Sequence, residues 1–344
     1  MHVEMADPSP SRTLRVYEAM PLAPAWVGLA LALILVAIFV VGEFALGRHE
    51  LLGGPTGVAR EARIAILHIL LAAYFPTAYV VVLRRTRRTL LELRPALQCT
   101  RSDFAKLGDA VGRYRWWGLA ATGLAMVLAG VRITIATTAP GVDPWSWRGP
   151  EILWHRVLNP VMLWWLGCLT YALIAESQRL YRLAARLAPL DLLDIRPLTP
   201  FAQQGLHHAL LILGAASIAS FLVLEVGFLD LVTGIWIQAA VLATASFVLP
   251  VWGVHRRIRA AKRVELDWCR VELQRARTAL KRGTSAPDRA RVDEVAAYKQ
   301  LVEGVRDWPF DPSTLARFAF YLFIPIVSWS GGALVERLID ALLE

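Results

Sequence analysis

Cysteine is scarce in this chain. Cys99, Cys168 and Cys269 are the only three among 344 residues, and no CxxC joins any two of them. That spacing excludes a disulfide framework and a cysteine zinc site, so the thiols read as incidental. Reaction signatures are missing as well. The sequence has no HExxH, no GxSxG, no Walker-type glycine loop and no GxGxxG, so it indicates no enzymatic reaction, and no cofactor or metal is expected. It has no low-complexity tract and no internal repeat, and the lack of an inverted repeat weighs against the commonest transporter designs. Charge is scarce inside the apolar runs and gathers between them.

What is abundant is apolar surface. Hydrophobic residues make up 56% of the chain, thirteen residues are Trp, and the mean hydropathy is positive. A water-soluble domain of this length seldom reaches that combination, so the expected solvent is a bilayer. Runs of about 20 apolar residues, enough to cross roughly 30 Å of hydrocarbon, fall at Pro24 to Leu46, Ile64 to Leu83, Trp116 to Thr138, Ile152 to Ala175, Leu206 to Phe228, Leu229 to Val254 and Leu315 to Leu338. The expected fold class is all-α, a polytopic transmembrane bundle of about seven spans. The polar start, residues 1–23, precedes a full-length apolar run rather than a short signal-peptide core, so the first helix is expected to stay.

Orientation follows from Lys and Arg. The loop 84–115 holds nine of them, from Arg84 to Arg115, and the segment from His255 to Ala316 holds fourteen. Alternation puts these on one side together with Arg12, Arg15, Arg179, Arg182, Arg186 and Arg196, against Arg48, Arg60, Arg63 and Arg148 on the other. The basic side is expected to be cytoplasmic, with the amino terminus inside and the carboxyl terminus outside. The net charge of +9 therefore describes loops that meet anionic lipid, and nucleic acid is not expected as a partner. The setting expected from this plan is a prokaryotic inner membrane.

The largest loop, 255–313, reads as a helical hairpin extending from the sixth span. Leu266, Cys269, Leu273, Ala276 and Leu280 recur at spacings of three and four, a stripe suited to oligomerisation or to a partner helix. Gly283 to Pro287 breaks the pattern, and Asp288 resumes a helix carrying Val292, Val295, Val302 and Val305. Ser313 and Thr314 are placed to cap the last span, 314–344. Between Leu90 and Tyr114, Pro95 ends one helix and Ser102 or Asp103 begins another.

Ionisable groups inside spans cost about 2.5–3.5 kcal/mol each on insertion scales, so each calls for an explanation. Glu43, His68, Arg132, His155, Arg156, Glu225, Glu336 and Arg337 lie in the outer halves of their spans. They form a candidate ligand or ion path with Arg132, the deepest, paired to Glu43 or Glu225; snorkelling to the interface is the competing explanation. Ser328 and Ser330, beside Pro325 and Gly331-Gly332, are candidate pore-lining hydroxyls, although small residues serve close helix packing equally, as Ala121, Ala125 and Ala129 would in the third span. Pro76, Pro160 and Pro250 read as kinks. Asp191 and Asp194, one helical turn apart, suggest a weak magnesium site or an ordinary acidic surface. His207 and His208 diverge by about 100° on a helix and do not share a metal.

Trp308-Pro309-Phe310-Asp311-Pro312, Leu322-Phe323-Ile324-Pro325-Ile326, Leu334-Val335-Glu336-Arg337-Leu338, Leu249-Pro250-Val251-Trp252-Gly253-Val254-His255-Arg256-Arg257 and Leu93-Arg94-Pro95-Ala96-Leu97 resemble uncharacterised prokaryotic seven-span membrane proteins. In topology alone the plan also resembles the seven-span ion channels that include insect odorant and gustatory receptors. That resemblance implies a homo-oligomer held by its cytoplasmic helices with the seventh helix lining a ligand-gated pore. The receptors' aromatic signature in the last helix is not matched residue by residue here, so no pore residue is carried over. A non-conducting sensor or scaffold, docking a partner through its basic cytoplasmic helices, is the alternative expectation.

Overall fold

A computed structural model describes residues 23–45, 56–137, 157–220, 232–281, 286–310 and 312–323. Among the described residues the chain is almost entirely helical and contains no strand. The helices are α1 (Pro24–Ala45), α2 (Thr56–Leu93), α3 (Arg101–Ala110), α4 (Trp116–Thr137), α5 (Asn159–Leu183), α6 (Thr199–Ala219), α7 (Ile237–Lys281) and α8 (Ala286–Gly304), followed by α9 at 312–323. Among the described residues four stretches are long and apolar enough to cross a membrane: Pro24–Gly42, Ala65–Ala96, Asn159–Arg186 and Gly234–Thr278. A shorter apolar stretch, Trp116–Arg132, lies in α4. These helices are compatible with an integral membrane protein; the count of seven and the orientation go beyond them.

α2, α5, α7 and α6 pack in a ring, α2 and α7 each touching both α5 and α6. Large apolar side chains fill the centre, with Leu83, Leu90, Leu93, Leu173, Leu180, Phe201, Leu213 and Ile258 fully buried. α1 is apolar all round. Its Ala32 and Phe39 pack on Ala65, Ile69 and Ala73 of α2, while Leu29, Leu33, Ile34, Ile38 and Val41 stay exposed, as expected of a helix solvated by lipid on its remaining faces.

α4 lies on α5, but through a different face from the one its alanines suggested. Ala121, Ala125 and Ala129 are exposed. The crossing instead uses glycines: a Cβ on Gly167 would sit 2.5 Å from the Thr122 carbonyl oxygen and 2.7 Å from Gly123 Cα. Bulky α5 side chains set this choice, since Trp164 and Tyr171 project onto Gly123 and Gly118 and leave no room for a methyl group.

Helices extend beyond the apolar runs. α2 continues ten residues past Leu83 to Leu93, and a 3-10 turn at Arg94–Ala96 follows, with Pro95 in it. α5 ends in a similar turn at Ala184–Arg186. The two exits are then tied together: Leu97 and Leu187 form an antiparallel bridge, with Gln98 N–H donating to the Arg186 carbonyl at 3.0 Å and Ala188 N–H to the Ala96 carbonyl at 2.9 Å. The next helix, α3, starts earlier than Ser102 or Asp103. Thr100 is its cap, its Oγ1 accepting from Asp103 N–H at 3.1 Å and donating to Asp103 Oδ2 at 2.8 Å, so Asp103 serves as the third-position acid of a capping box.

Pro76 and Pro250 lie inside α2 and α7. Pro160 does not kink α5; it occupies the first turn, where its missing N–H has no intrahelical partner to lose. Similarly, α8 already begins at Ala286, with Pro287 in its first turn, and the helix at 312–323 encloses Ser313 and Thr314 in its first turn rather than being preceded by them.

The hairpin read from sequence is formed. α7 runs unbroken for 45 residues, and α8 packs back along it. Cys269 is fully buried and Leu266, Leu273 and Ala276 are half-buried, opposite buried Val295 and Val302. Trp268 meets Tyr298 edge-on at 6.0 Å, and Tyr298 Oη donates to Glu265 Oε2 at 3.2 Å. The heptad-like stripe therefore closes the chain's own hairpin; the side chain of Leu280 lies outside the described residues.

Candidate functional site

The groups that sequence reading singled out are not the ones the structure assembles. Arg132 is exposed near the end of α4, and His68 is half-buried in α2. The backbone of Glu43 lies in α1, but its side chain falls outside the described residues. So do Glu225, His155, Arg156, Ser328, Ser330, Glu336 and Arg337.

What the fold brings together lies at the Arg-rich end of the bundle. The first element is a polar seam through its core, joining α2, α5 and α6. Thr89 Oγ1 donates to Gln204 Oε1 at 2.9 Å; Gln204 Nε2 lies 3.2 Å from Thr86 Oγ1 and 2.8 Å from His208 Nε2; His208 Nδ1 lies 3.1 Å from Ser177 Oγ. All five residues are buried. A carboxamide nitrogen only donates, so His208 Nε2 accepts, the ring is neutral, and Nδ1–H donates to Ser177. The Ser–His pair invites a nucleophilic reading, but Ser177 is 1% exposed, which closes it to a substrate. The seam fixes the helix register instead. His207, beside it, is half-buried on a different face.

The second element surrounds Glu176, which is fully buried. It accepts from Tyr114 Oη at 2.7 Å and from Gly112 N–H at 3.4 Å, and pairs with Arg179 Nη1 at 3.5 Å. Gly112 has φ of 73°, a left-handed conformation that lets the α3–α4 turn bring its N–H to the carboxylate. Burial holds the Tyr114 phenol well above its ordinary pKa, with the Glu176 charge adding to the shift. Outside this anchor opens a cavity of about 340 Å³ bordered by Arg113, Arg115, Arg179, Arg182 and Arg186.

The third element is the root of the hairpin. His255 is buried, its Nδ1 2.8 Å from the Asp307 carbonyl and its ring stacked on Trp308 at 4.0 Å. Lys262 Nζ donates to the carbonyls of Glu303 and Val305, at 2.9 and 2.8 Å, and lies 3.3 Å from Asp307 Oδ1, capping the negative end of α8 with a cation. Arg256 donates to Tyr181 Oη and Arg257 to the Leu187 carbonyl. These residues serve the fold, while Arg259 and Arg263 of the same stretch are exposed. They line a cavity of about 510 Å³ with Trp252, His255, Arg256 and Ala260.

Asp191 and Asp194 are not on a helix. Each carboxylate accepts from a backbone N–H two residues on, Leu193 at 2.9 Å and Arg196 at 3.2 Å, which makes both of them turn residues. Among the described residues no group of three or more His, Cys, Asp or Glu is placed to hold a metal.

Sequence reasoning overlooked the seam and Glu176 because their partners come from separate helices that only the fold brings together. The available signal was Gln204 with His208, four apart on one helix face.

Fold and site together define an α-helical protein that has, among the described residues, four helices long and apolar enough to cross a membrane and a basic, hydrogen-bonded end. Compared with known protein families, curated proteins and solved structures, the chain matches none.

Proposed function

We propose that the protein is a non-conducting membrane scaffold or sensor that docks an amphipathic helix with acidic flanks against the outward face of α7. The carrying observation is an apolar stripe that borders the face buried by α8, with Trp268 at its edge against Tyr298: Val264, Trp268 and Val271 are 68%, 47% and 44% exposed, at spacings of four and three. Such a stripe beyond the apolar part of a spanning helix marks a partner surface. Arg256, Arg259 and Arg263 beside it, around a cavity with no acidic lining, give it a charge preference. In this reading the basic end is cytoplasmic, as the Lys and Arg asymmetry implies, in a prokaryotic inner membrane. Anionic lipid contacts the same end.

The homo-oligomeric ligand-gated channel is the second reading. It is favoured by the continuous α7 and its antiparallel α8, the cytoplasmic extension that the topological resemblance calls for. The described bundle centre is filled by side chains, so conduction in that reading would run between copies rather than through one.

The mass of the protein in nanodiscs, followed by ion flux from liposomes, separates the two. A species that conducts nothing and binds a Glu-flanked amphipathic peptide, with binding lost in Val264→Ser/Trp268→Ser, supports docking. A closed oligomer with flux overturns it and establishes the channel.

A further inference from the structure

The cavity beside Glu176 has a composition that the docking reading leaves unused. It is bordered by Arg113, Arg115, Arg179, Arg182 and Arg186, with Tyr114, Tyr171 and Gln178 and no carboxylate in its lining. Glu176 stands behind the wall beside Arg179, and the Asp103 carboxylate interacts electrostatically with Arg186. The ion pair of Glu176 with Arg179 is long, at 3.5 Å. Arg179 Nη1 and Glu176 Oε2 face each other across that gap, both buried and neither in a hydrogen bond, and the Arg179 side chain is 19% exposed. Among the described residues Arg113, Arg182 and Arg186 make no side-chain ion pair.

Five guanidinium groups around one cavity repel one another. An anion entering the cavity relieves that repulsion. Planar forks that donate two parallel hydrogen bonds suit phosphate oxygens, which accept from several directions. A volume of about 340 Å³ is at the small end of ligand pockets and takes a phosphate group with a small substituent.

The surroundings indicate where that group comes from. Trp116 and Trp117, 79% and 53% exposed, start the apolar part of α4 next to Arg115, whose guanidinium lies 5.0 Å from the Trp117 ring centroid. Exposed Trp at the end of a spanning helix marks the headgroup level of a bilayer. The pocket thus opens where lipid phosphates sit.

We infer that the arginine cavity between the α3–α4 turn and α5 is a binding site for a phosphate group, presented by the headgroup of an anionic phospholipid or by a soluble phosphate ester. The site is independent of whether α7 docks a partner. Tyr114, anchored on Glu176, and Tyr171, packed edge-on against it at 5.5 Å, form its rigid wall. Arg179 reaches the phosphate from the buried side, and Arg113 and Arg182 close over it from outside.

The test uses the full chain in nanodiscs of phosphatidylcholine, with or without phosphatidylglycerol. Native mass spectrometry counts retained phosphatidylglycerol, and calorimetry measures inorganic pyrophosphate binding in the phosphatidylcholine discs. Arg113→Gln/Arg182→Gln is compared with Arg259→Gln/Arg263→Gln, which lies outside the cavity, and all three proteins are first matched for thermal unfolding. Retention of phosphatidylglycerol that falls about tenfold or more in the first variant only supports the site and identifies lipid as its source. Pyrophosphate binding with the same sensitivity supports it and identifies a soluble ester. If neither probe binds, or both double variants bind as the wild type does, the inference is overturned.

Discussion

Lys262 of α7 places its ammonium 2.8 Å from the carbonyl oxygen of Val305, just beyond the last residue of α8. One flexible side chain thereby joins two antiparallel helices at the point where the polypeptide turns back toward α9. The group is 17% exposed, so its hydrogen bonds to Glu303, Val305 and Asp307 are partly shielded from water and worth more than a surface ion pair.

Lys262→Met keeps the stem and removes the donors. It should lower stability by about 1–3 kcal/mol, with the loss concentrated in the hairpin. Limited proteolysis should cleave near the α8–α9 connection several-fold faster, while cleavage within the bundle changes little. Equal cleavage rates would remove the capping role.

The polar seam predicts a larger penalty than one hydrogen bond. Gln204→Leu strands Thr89, Thr86 and His208 in the core together, and should cost about 2 kcal/mol or more. Ser177→Ala, which removes one terminal partner, should cost less. Chemical unfolding in detergent ranks the two, and the reverse order would mean that the seam does not centre on Gln204.

At the α4–α5 crossing the sign depends on position. Gly167→Val forces a branched side chain against the Thr122 carbonyl and Gly123, and should destabilise by about 1–3 kcal/mol. Gly42→Ala, where nothing lies within 4 Å, should be neutral or stabilise by up to about 1 kcal/mol through helix propensity. Thermal unfolding of the two variants checks the pair.

Asp103 gives a pH dependence. The Thr100 hydroxyl donating to its carboxylate, and then Lys106, lower its pKa below the ordinary value. A carboxylate depressed in the folded state contributes stability above its unfolded pKa of about 4, and loses it as pH falls through the lower folded value. The stability advantage of wild type over Asp103→Asn should therefore be full at neutral pH and shrink in acid below about pH 4. Paired unfolding curves at several pH values measure it; an advantage that grows in acid would contradict the capping geometry.

Much of the architecture was legible in the sequence because hydrocarbon length and charge placement are coarse signals. The apolar runs give α1, most of α2 and α4, and the switch from apolar to charged periodicity after Val254 gives the long α7 with its returning α8. Helix ends were read less well. Thr100 rather than Ser102 caps α3, and α2 overruns its apolar segment by ten residues, because Arg84 to Arg88 favour helix as strongly as they mark the end of a span. The candidate site was largely illegible. Arg132 and Glu43 stand out by their cost in lipid, whereas Glu176, Gln204 and His208 matter only because three helices converge on them. The pairing of Leu266 and Cys269 with α8 likewise depended on which face the return helix would choose, and periodicity does not distinguish a stripe used within the chain from one offered to another.

The bridge between Leu97 and Leu187 constrains motion as well as shape. Two backbone hydrogen bonds tie the exits of α2 and α5, so neither helix can slide along its axis without carrying the other. A piston stroke of a single helix through the bilayer is thereby blocked at this end. Any signal entering on the lipid side must emerge as a shared displacement of both helices, or as a change in their tilt about the clasp as a fulcrum.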